Sequence, residues 1–320
     1  MERNYLISNE GCFYKANLHC HTTCSDGMLT PEQVKELYVR HGYSIVAYTD
    51  HNNYVYHREL LDETFVPLAG YEVNSDGQRN GDGHPIANHL CALALEPEKA
   101  KMVPRPVIYD LGRINEMIRE LNNAGFIVNY NHPAWSAEHT EDFLALEGIT
   151  CFEVFNYGAE VSTGGGYGDQ QYDLWVKSGR RAFPIATDDN HNPPAYGEEG
   201  ANTPEEFDSC GGFTMIKAKE LSYRAVMDAI CAGNLYASNG PLIHALYIED
   251  GKLCIDCDPV CAVMLKDGAI NNAYAKYAAE DAISHVDIPL SAVRGEDAFA
   301  RIVIMRKDGR KAWTNAYDLR

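Results

Sequence analysis

The chain has 320 residues, 45% of them apolar, and a formal net charge of −19. That length supports one large domain, or a large one plus a small one. The acidic balance excludes unspecific attachment to nucleic-acid phosphates, which needs basic surface. No apolar run is long enough to span a bilayer, and the first twenty residues lack a basic segment followed by an apolar core. Ten cysteines in such a chain read as reduced thiols, so a cytoplasmic location is expected.

Tyr14 to Leu18 reads as a short strand leading into His19 and His21. The segment LTPEQVKELYVRHGY predicts a helix with Thr30 as N-cap, Pro31 at N1 and Gln33 completing a capping box. Val34, Leu37 and Tyr38 form its apolar stripe, and Gly42 ends it. SIVAYT is a buried strand running into Asp50 and His51. FVPLAGYEV is a strand ending near Glu72, and HLCALAL is one opening at His89. A helix closed by Gly125 precedes the strand FIVNYN and then His132. TCFEVFN places Glu153 in mid-strand, DQQYDLWVKSG is helical, and RAFPIAT delivers Asp188, Asp189 and His191. The strand GGFTMIKA and the helix LSYRAVMDAICAG follow.

Strands alternating with helices predict an α/β domain with a largely parallel sheet. The ligand-type residues fall at strand ends, where a parallel barrel gathers its site. After about Gly240 the pattern changes to β-hairpins, with Asp250-Gly251 and Asp308-Gly309 at their turns. Residues 1–238 are expected to form the barrel and 239–320 a small antiparallel β-sandwich.

His19 and His21, at i and i+2 of a strand end, point to one face, and Cys20 points to the other. Asp26 follows in the turn SDG. Asp50 and His51 are both candidate ligands, and Asp50 can instead orient an imidazole. His89 competes with His84 of the polar loop GDGHP. His132 stands between a strand and a proline, and Asp189 and His191 form D-x-H beside an alternative Asp188. With Glu72 the set holds six histidines and three carboxylates, more than one tetrahedral zinc needs. It suits a two- or three-ion cluster, which polarises a phosphoryl oxygen and acidifies bound water. Cys254, Cys257 and Cys261 have no nearby fourth ligand, His285 being distant, and read as part of an ordinary strand. Arg180 and Arg181 read as solvated surface, although one of them can reach a substrate phosphate.

The order HCH, SDG, TDH, GYE, NHL, NHP, TDDNH resembles that of the PHP family, the polymerase and histidinol phosphatase domain, over roughly residues 15–238. The resemblance implies a distorted (β/α)7 TIM-like barrel and metal-dependent phosphoesterase activity. It makes His19, His21, Asp26, His51, Glu72, His89, His132, Asp189 and His191 the metal ligands. Glu72 becomes the bridging carboxylate and Asp50 a carboxylate behind the ligands. His191, or another imidazole of the site, is expected to protonate the leaving oxygen. The implied cofactors are two or three divalent ions, zinc, iron or manganese. The implied substrate is a small phosphorylated molecule, a sugar phosphate or nucleotide, attacked by hydroxide held by the cluster. DGRKAWTNA resembles the ending of longer relatives that carry a C-terminal β domain. Two rival readings are a metal-dependent amidohydrolase, which also uses H-x-H on its first strand, and a non-catalytic binding module stabilised by metal.

Overall fold

The computed structural model describes residues 3–78, 85–104, 108–193, 207–268, 273–293 and 299–319. Among the described residues the first part of the chain supplies ten strands and six α-helices. They are β1 (Asn4–Tyr5), β2 (Cys12–Asn17), α1 (Pro31–Arg40), β3 (Ile45–Tyr48), β4 (Val66–Gln78), β5 (Pro85–Ala94), α2 (Leu111–Asn123) and β6 (Phe126–Tyr130), followed by α3 (Thr140–Phe143), β7 (Cys151–Asn156), α4 (Tyr157–Thr163), α5 (Asp169–Lys177), β8 (Phe183–Thr187), β9 (Phe213–Ala218), α6 (Tyr223–Cys231) and β10 (Leu235–Ser238). The last part is β11 (Ile243–Glu249), β12 (Lys252–Val260), β13 (Ala262–Lys266), β14 (Tyr274–Tyr277), β15 (Ile283–Pro289), β16 (Phe299–Met305), β17 (Lys311–Trp313) and β18 (Tyr317–Asp318). None of the described helices is long and apolar enough to cross a membrane.

Helix α1 forms where the capping signals place it. Thr30 Oγ1 accepts from the Gln33 N–H at 3.3 Å, and Gln33 Oε1 accepts from the Thr30 N–H at 2.8 Å. Val34, Leu37 and Tyr38 are buried, and Gly42 leaves the helix in the left-handed region at φ +77°. Thr30→Ala is expected to cost about 1 kcal/mol, read as a lower urea midpoint at unchanged slope.

The large sheet is mixed rather than largely parallel. Strands β2, β3 and β4 pair in parallel, as do β6, β7 and β8. Between them β5 runs antiparallel to both β4 and β6. Only six residues, 79–84, separate β4 from β5. A parallel return needs a crossover of about a dozen residues or more, so this short link forces the chain back on itself. His89 consequently lies inside β5, opposite Asn74, instead of opening the strand. Because β5 is reversed, its early half lies beside the late half of β4, and Glu72, in the middle of β4, is paired with Cys91 two residues beyond His89.

Strand β9 is antiparallel to β2, and β10 to β9. Beyond the ends of β2 and β8 the chain pairs again: Cys20 bridges Asn190, the His21 N–H donates to Asn190 O at 3.1 Å, and the Asp189 N–H donates to His19 O at 2.9 Å. The two outermost histidine- and aspartate-bearing segments are thereby held side by side.

After Ser238 the large sheet continues through β17, β16, β13 and β14, because β10 pairs with β17 (Ala237 opposite Trp313). A separate antiparallel sheet has the order β1-β11-β12-β15. The turn between β11 and β12 carries Asp250 and Gly251, both at positive φ, as the Asp-Gly pair predicts. Inward side chains of both sheets share one apolar cluster that includes Leu246, Ile255, Val263, Ile288 and Ile302. Cys254 and Cys257 lie on β12 as free thiols, and His285 is engaged by Asp256 (2.7 Å) and Asp287 (2.9 Å). The Arg180 guanidinium stacks over Trp175, 5.5 Å from the ring centroid.

Candidate metal centre

The buried Glu72 carboxylate on β4 is the hub of the site. Its Oε1 lies 3.3 Å from His19 Nε2, 3.4 Å from His89 Nδ1 and 3.4 Å from His132 Nε2. Its Oε2 lies 3.4 Å from His21 Nε2 and 3.0 Å from His51 Nδ1. Five imidazoles therefore surround one carboxylate. Asp189 Oδ1 approaches His19 Nε2 at 3.1 Å and His21 Nε2 at 3.0 Å. At the outer edge Asp26 lies 3.5 Å from His191 Nε2, 3.7 Å from His51 Nε2 and 3.8 Å from His21 Nδ1.

These side chains fall into three overlapping groups, each with donor atoms within 4.8 Å of one another. They are His19, His21, Glu72 and Asp189; then Glu72, His89 and His132; then His21, Asp26, His51 and His191. All nine residues singled out in the sequence are brought together. His84 lies outside the described residues.

Local backbone geometry explains the convergence. His19 and His21 continue the alternation of β2, so both rings emerge on one side. His132 and Asp189 sit two residues past the ends of β6 and β8, in the left-handed region at φ +27° and +53°. Such φ values are uncommon for residues with a side chain, and here they redirect the chain at the strand ends. Gly158 holds the second of these turns. Its N–H donates to Asp188 O at 2.7 Å, and a Cβ there would meet both Asp188 O and Asp189 O at 2.8 Å.

Behind the cluster stands a second layer of fixed polar groups. The His19 Nδ1–H donates to Glu153 Oε1 at 2.8 Å, which leaves Nε2 as the free lone pair facing inward. Glu153 also accepts from Thr187 Oγ1 (2.7 Å), the His132 N–H (2.6 Å) and Asn156 Nδ2 (3.0 Å). Asn131 Nδ2 donates to Glu72 Oε1 at 2.7 Å, and His132 Nδ1 lies 3.1 Å from Ser136 Oγ. Sequence reasoning located Glu153 in its strand but gave it no role. The available signal was a carboxylate inside the apolar run Cys151–Phe155, all of which is buried. Asp50 accepts from Thr22 and Ser25 and so fixes the turn that carries Asp26.

Asp188 points away from the cluster, accepting from Tyr38 Oη (2.8 Å) and from the N–H groups of Cys210 (2.8 Å), Gly211 (3.0 Å) and Gly212 (2.7 Å). Burial pushes its carboxyl up to about 7. Burial acts on Asp189 in the same sense, but the charges of His19 and His21 outweigh it and hold that carboxyl below the usual range. The imidazoles respond in reverse. Burial alone would lower them, yet Asp189 and Glu72 raise His21 to about 9, and Glu72 and Asp76 raise His89 to about 10. His191 is lowered by burial and by the nearby His21.

The donor set fits divalent cations. His19 Nε2 and His21 Nε2 face each other at 3.1 Å, close to the spacing of about 3 Å between two ligand atoms on one ion with bonds near 2.1 Å. His21 Nδ1 and His51 Nδ1 are buried without a hydrogen-bond partner among the described residues, although His51 Nδ1 is 3.0 Å from Glu72. A cavity of about 550 Å³ opens over the cluster, lined by Glu72, His132, Trp135, Asp189, His191 and Phe207 among others.

No family model matches the chain. No curated protein matches it either. Among solved structures, one from Bacteroides vulgatus ATCC 8482 is described as a two-domain protein containing a predicted PHP-like metal-dependent phosphoesterase. It aligns over 99% of both chains at 15% identity and a TM-score of 0.47. A second, from Bifidobacterium adolescentis ATCC 15703, is described as a candidate metal-dependent phosphoesterase and aligns over 63% of this chain and 95% of its own, at 15% identity and a TM-score of 0.42. A third, an amidohydrolase from Chromobacterium violaceum with bound sulfate and no metal, covers 59% and 92% at 15% identity and a TM-score of 0.38. The chain is thus similar to structures described as metal-dependent phosphoesterases, one of them, described as PHP-like, over 99% of its length.

Proposed function

We propose that the protein is a metal-dependent phosphoesterase acting on a small phosphorylated substrate, a sugar phosphate or a nucleotide. The observation that carries this reading is the buried Glu72 carboxylate enclosed by five imidazoles within overlapping ligand groups. His19, His21, Asp26, His51, Glu72, His89, His132, Asp189 and His191 would hold two or three divalent ions, with zinc, iron and manganese all suited to mixed imidazole and carboxylate ligands. Such ions supply Lewis acidity toward phosphoryl oxygens and lower the pKa of water. The Cys20–Asn190 bridge, which ties the end of β2 to the end of β8, supports reading the first 238 residues as a distorted (β/α)7 barrel. Residues 239–320 contribute none of the nine.

The protein's own side chains divide the remaining work. Glu153 fixes the His19 tautomer and the His132 backbone together, so two ligands share one orienting carboxylate. His191 is the most exposed of the six imidazoles, at 31%, with Nδ1 turned to Asp189 O at 3.0 Å. Its Nε2 faces the open edge, where it can meet either an ion or the oxygen that departs with a proton. No lysine or arginine lines the cavity among the described residues, so the charge of a phosphate finds no side-chain cation there. Elemental analysis of metal-replete protein is expected to find about two or three ions per chain. Release of phosphate from sugar phosphates or nucleotides should vanish on chelation and return with manganese or zinc. Metal-free protein, or a loaded protein that frees no phosphate from these esters, overturns the proposal.

A further inference from the structure

Outside the nine-residue centre, three more donor side chains converge. Cys24 Sγ, a carboxylate oxygen of Asp50 and a ring nitrogen of His57 all lie within 4.8 Å of one another. They come from separate places: the turn after His21, the residues just beyond β3, and the start of the 3-10 turn Arg58–Leu60.

The group is built rather than incidental. His57 is 7% exposed, and its ring packs edge-on against Tyr48 with centroids 4.9 Å apart. Its Nδ1 is turned to Glu59 Oε1 at 3.2 Å. Its Nε2 is buried and has no hydrogen-bond partner among the described residues. A buried imidazole nitrogen left this way is destabilising unless something occupies it. Asp50 is also incompletely used. Its Oδ1 accepts from the Thr22 N–H (2.8 Å), Thr22 Oγ1 (3.0 Å) and Ser25 Oγ (2.8 Å), whereas among the described residues Oδ2 accepts only from Thr22 Oγ1 (2.9 Å). One carboxylate oxygen therefore keeps a lone pair to give.

We propose that Cys24, Asp50 and His57 form a separate zinc site, with solvent as the fourth ligand. A thiolate, an imidazole and a carboxylate are a borderline-soft set that suits zinc and disfavours magnesium or calcium. Zinc bonds of about 2.0–2.3 Å place tetrahedral ligands about 3.3–3.8 Å apart, so the three atoms need close by no more than about 1.5 Å. Cys24 is partly exposed, which gives the ion a path in from solvent. Occupation would tie the Asp26 turn to the end of β3. Asp26, 57% exposed on its own, would then be held against His51 and His191.

The test uses the full chain, stripped by chelator and titrated with Co²⁺. None of the nine residues of the main centre carries sulfur, so those ligands give no near-ultraviolet thiolate-to-cobalt absorption, and the cysteine variants assign the band. The band is expected in the unmodified chain and in Cys91→Ala, whose thiol lies near His19. It is expected to be lost in Cys24→Ser and lost or strongly weakened in His57→Gln. Zinc content should fall by about one equivalent in Cys24→Ser, with the remaining ions retained. Absence of the band from the unmodified chain, its survival in Cys24→Ser or undiminished in His57→Gln, or its loss in Cys91→Ala overturns the site.

Discussion

Glu72→Gln is expected to strip ions from the centre and to lower kcat/KM for phosphate release by about 10³-fold or more, while the chain stays folded. Glutamine keeps the shape of glutamate and can still accept from Asn131 Nδ2, so the fold has little to lose. What disappears is the negative charge between His19, His21, His51, His89 and His132. The amide also replaces one acceptor oxygen with a donor that faces imidazole nitrogens. Both changes weaken cation binding at all three donor groups, because Glu72 belongs to two of them and adjoins His51 of the third. Metal content and steady-state kinetics on the same preparation check the result. A variant with full metal content and an unchanged rate would remove Glu72 from the centre.

The largest expected effect on stability lies elsewhere, at Asp173→Ala. Arg301 of β16 is fully buried, and its Nε donates to Asp173 Oδ1 of α5 at 2.7 Å, with Nη2 against the same oxygen. Its guanidinium lies 5.4 Å from the centroid of the Tyr172 ring, and Nη1 has no partner among the described residues. Removing the carboxylate leaves a guanidinium in the interior with its main counter-charge gone, and Lys266 loses the same partner. A loss of about 3 kcal/mol in urea unfolding is expected, the low end of the cost of breaking a buried pair, since Asp173 keeps 26% exposure. Replacing both partners, Arg301→Met with Asp173→Ala, should recover most of that loss because no isolated charge remains. If the single and double variants unfold alike, the pair is not what stabilises the contact between α5 and β16.

The parts of the fold that were legible in the sequence are those written in local chemistry. The Thr30–Gln33 capping box, the Val34, Leu37, Tyr38 stripe and the Asp250-Gly251 turn each act within a few residues. Strand direction is not written locally. Alternation along Pro85–Ala94 is the same whichever way the strand runs, and only the short link from β4 sets its sense. The strand pairing of Ala237 with Trp313, which carries the large sheet into the last part of the chain, is likewise set by long-range contact. In the site, the donor residues were legible because histidines and carboxylates at strand ends are conspicuous. Glu153 was not, because a carboxylate in an apolar strand declares nothing about what it orients until His19 and His132 arrive from distant segments. The D-x-H spacing already favoured Asp189 over Asp188, but the left-handed turn that redirects the chain at Asp189 is something no alternation rule anticipates.

That turn, with its counterpart at His132, sets stability against chemistry in this protein. Backbone held at φ +53° or +27° by a residue with a side chain costs on the order of 1–3 kcal/mol at each position. Glycine would adopt either conformation without strain, yet it would bring no oxygen or nitrogen to the cluster. Residues 132 and 189 are therefore places where heredity favours a sturdier chain and usefulness forbids it. A lineage selected only for endurance to heat would be drawn toward relaxing such positions, and at these two it would remove a nitrogen and an oxygen donor from the cluster while its fold improved.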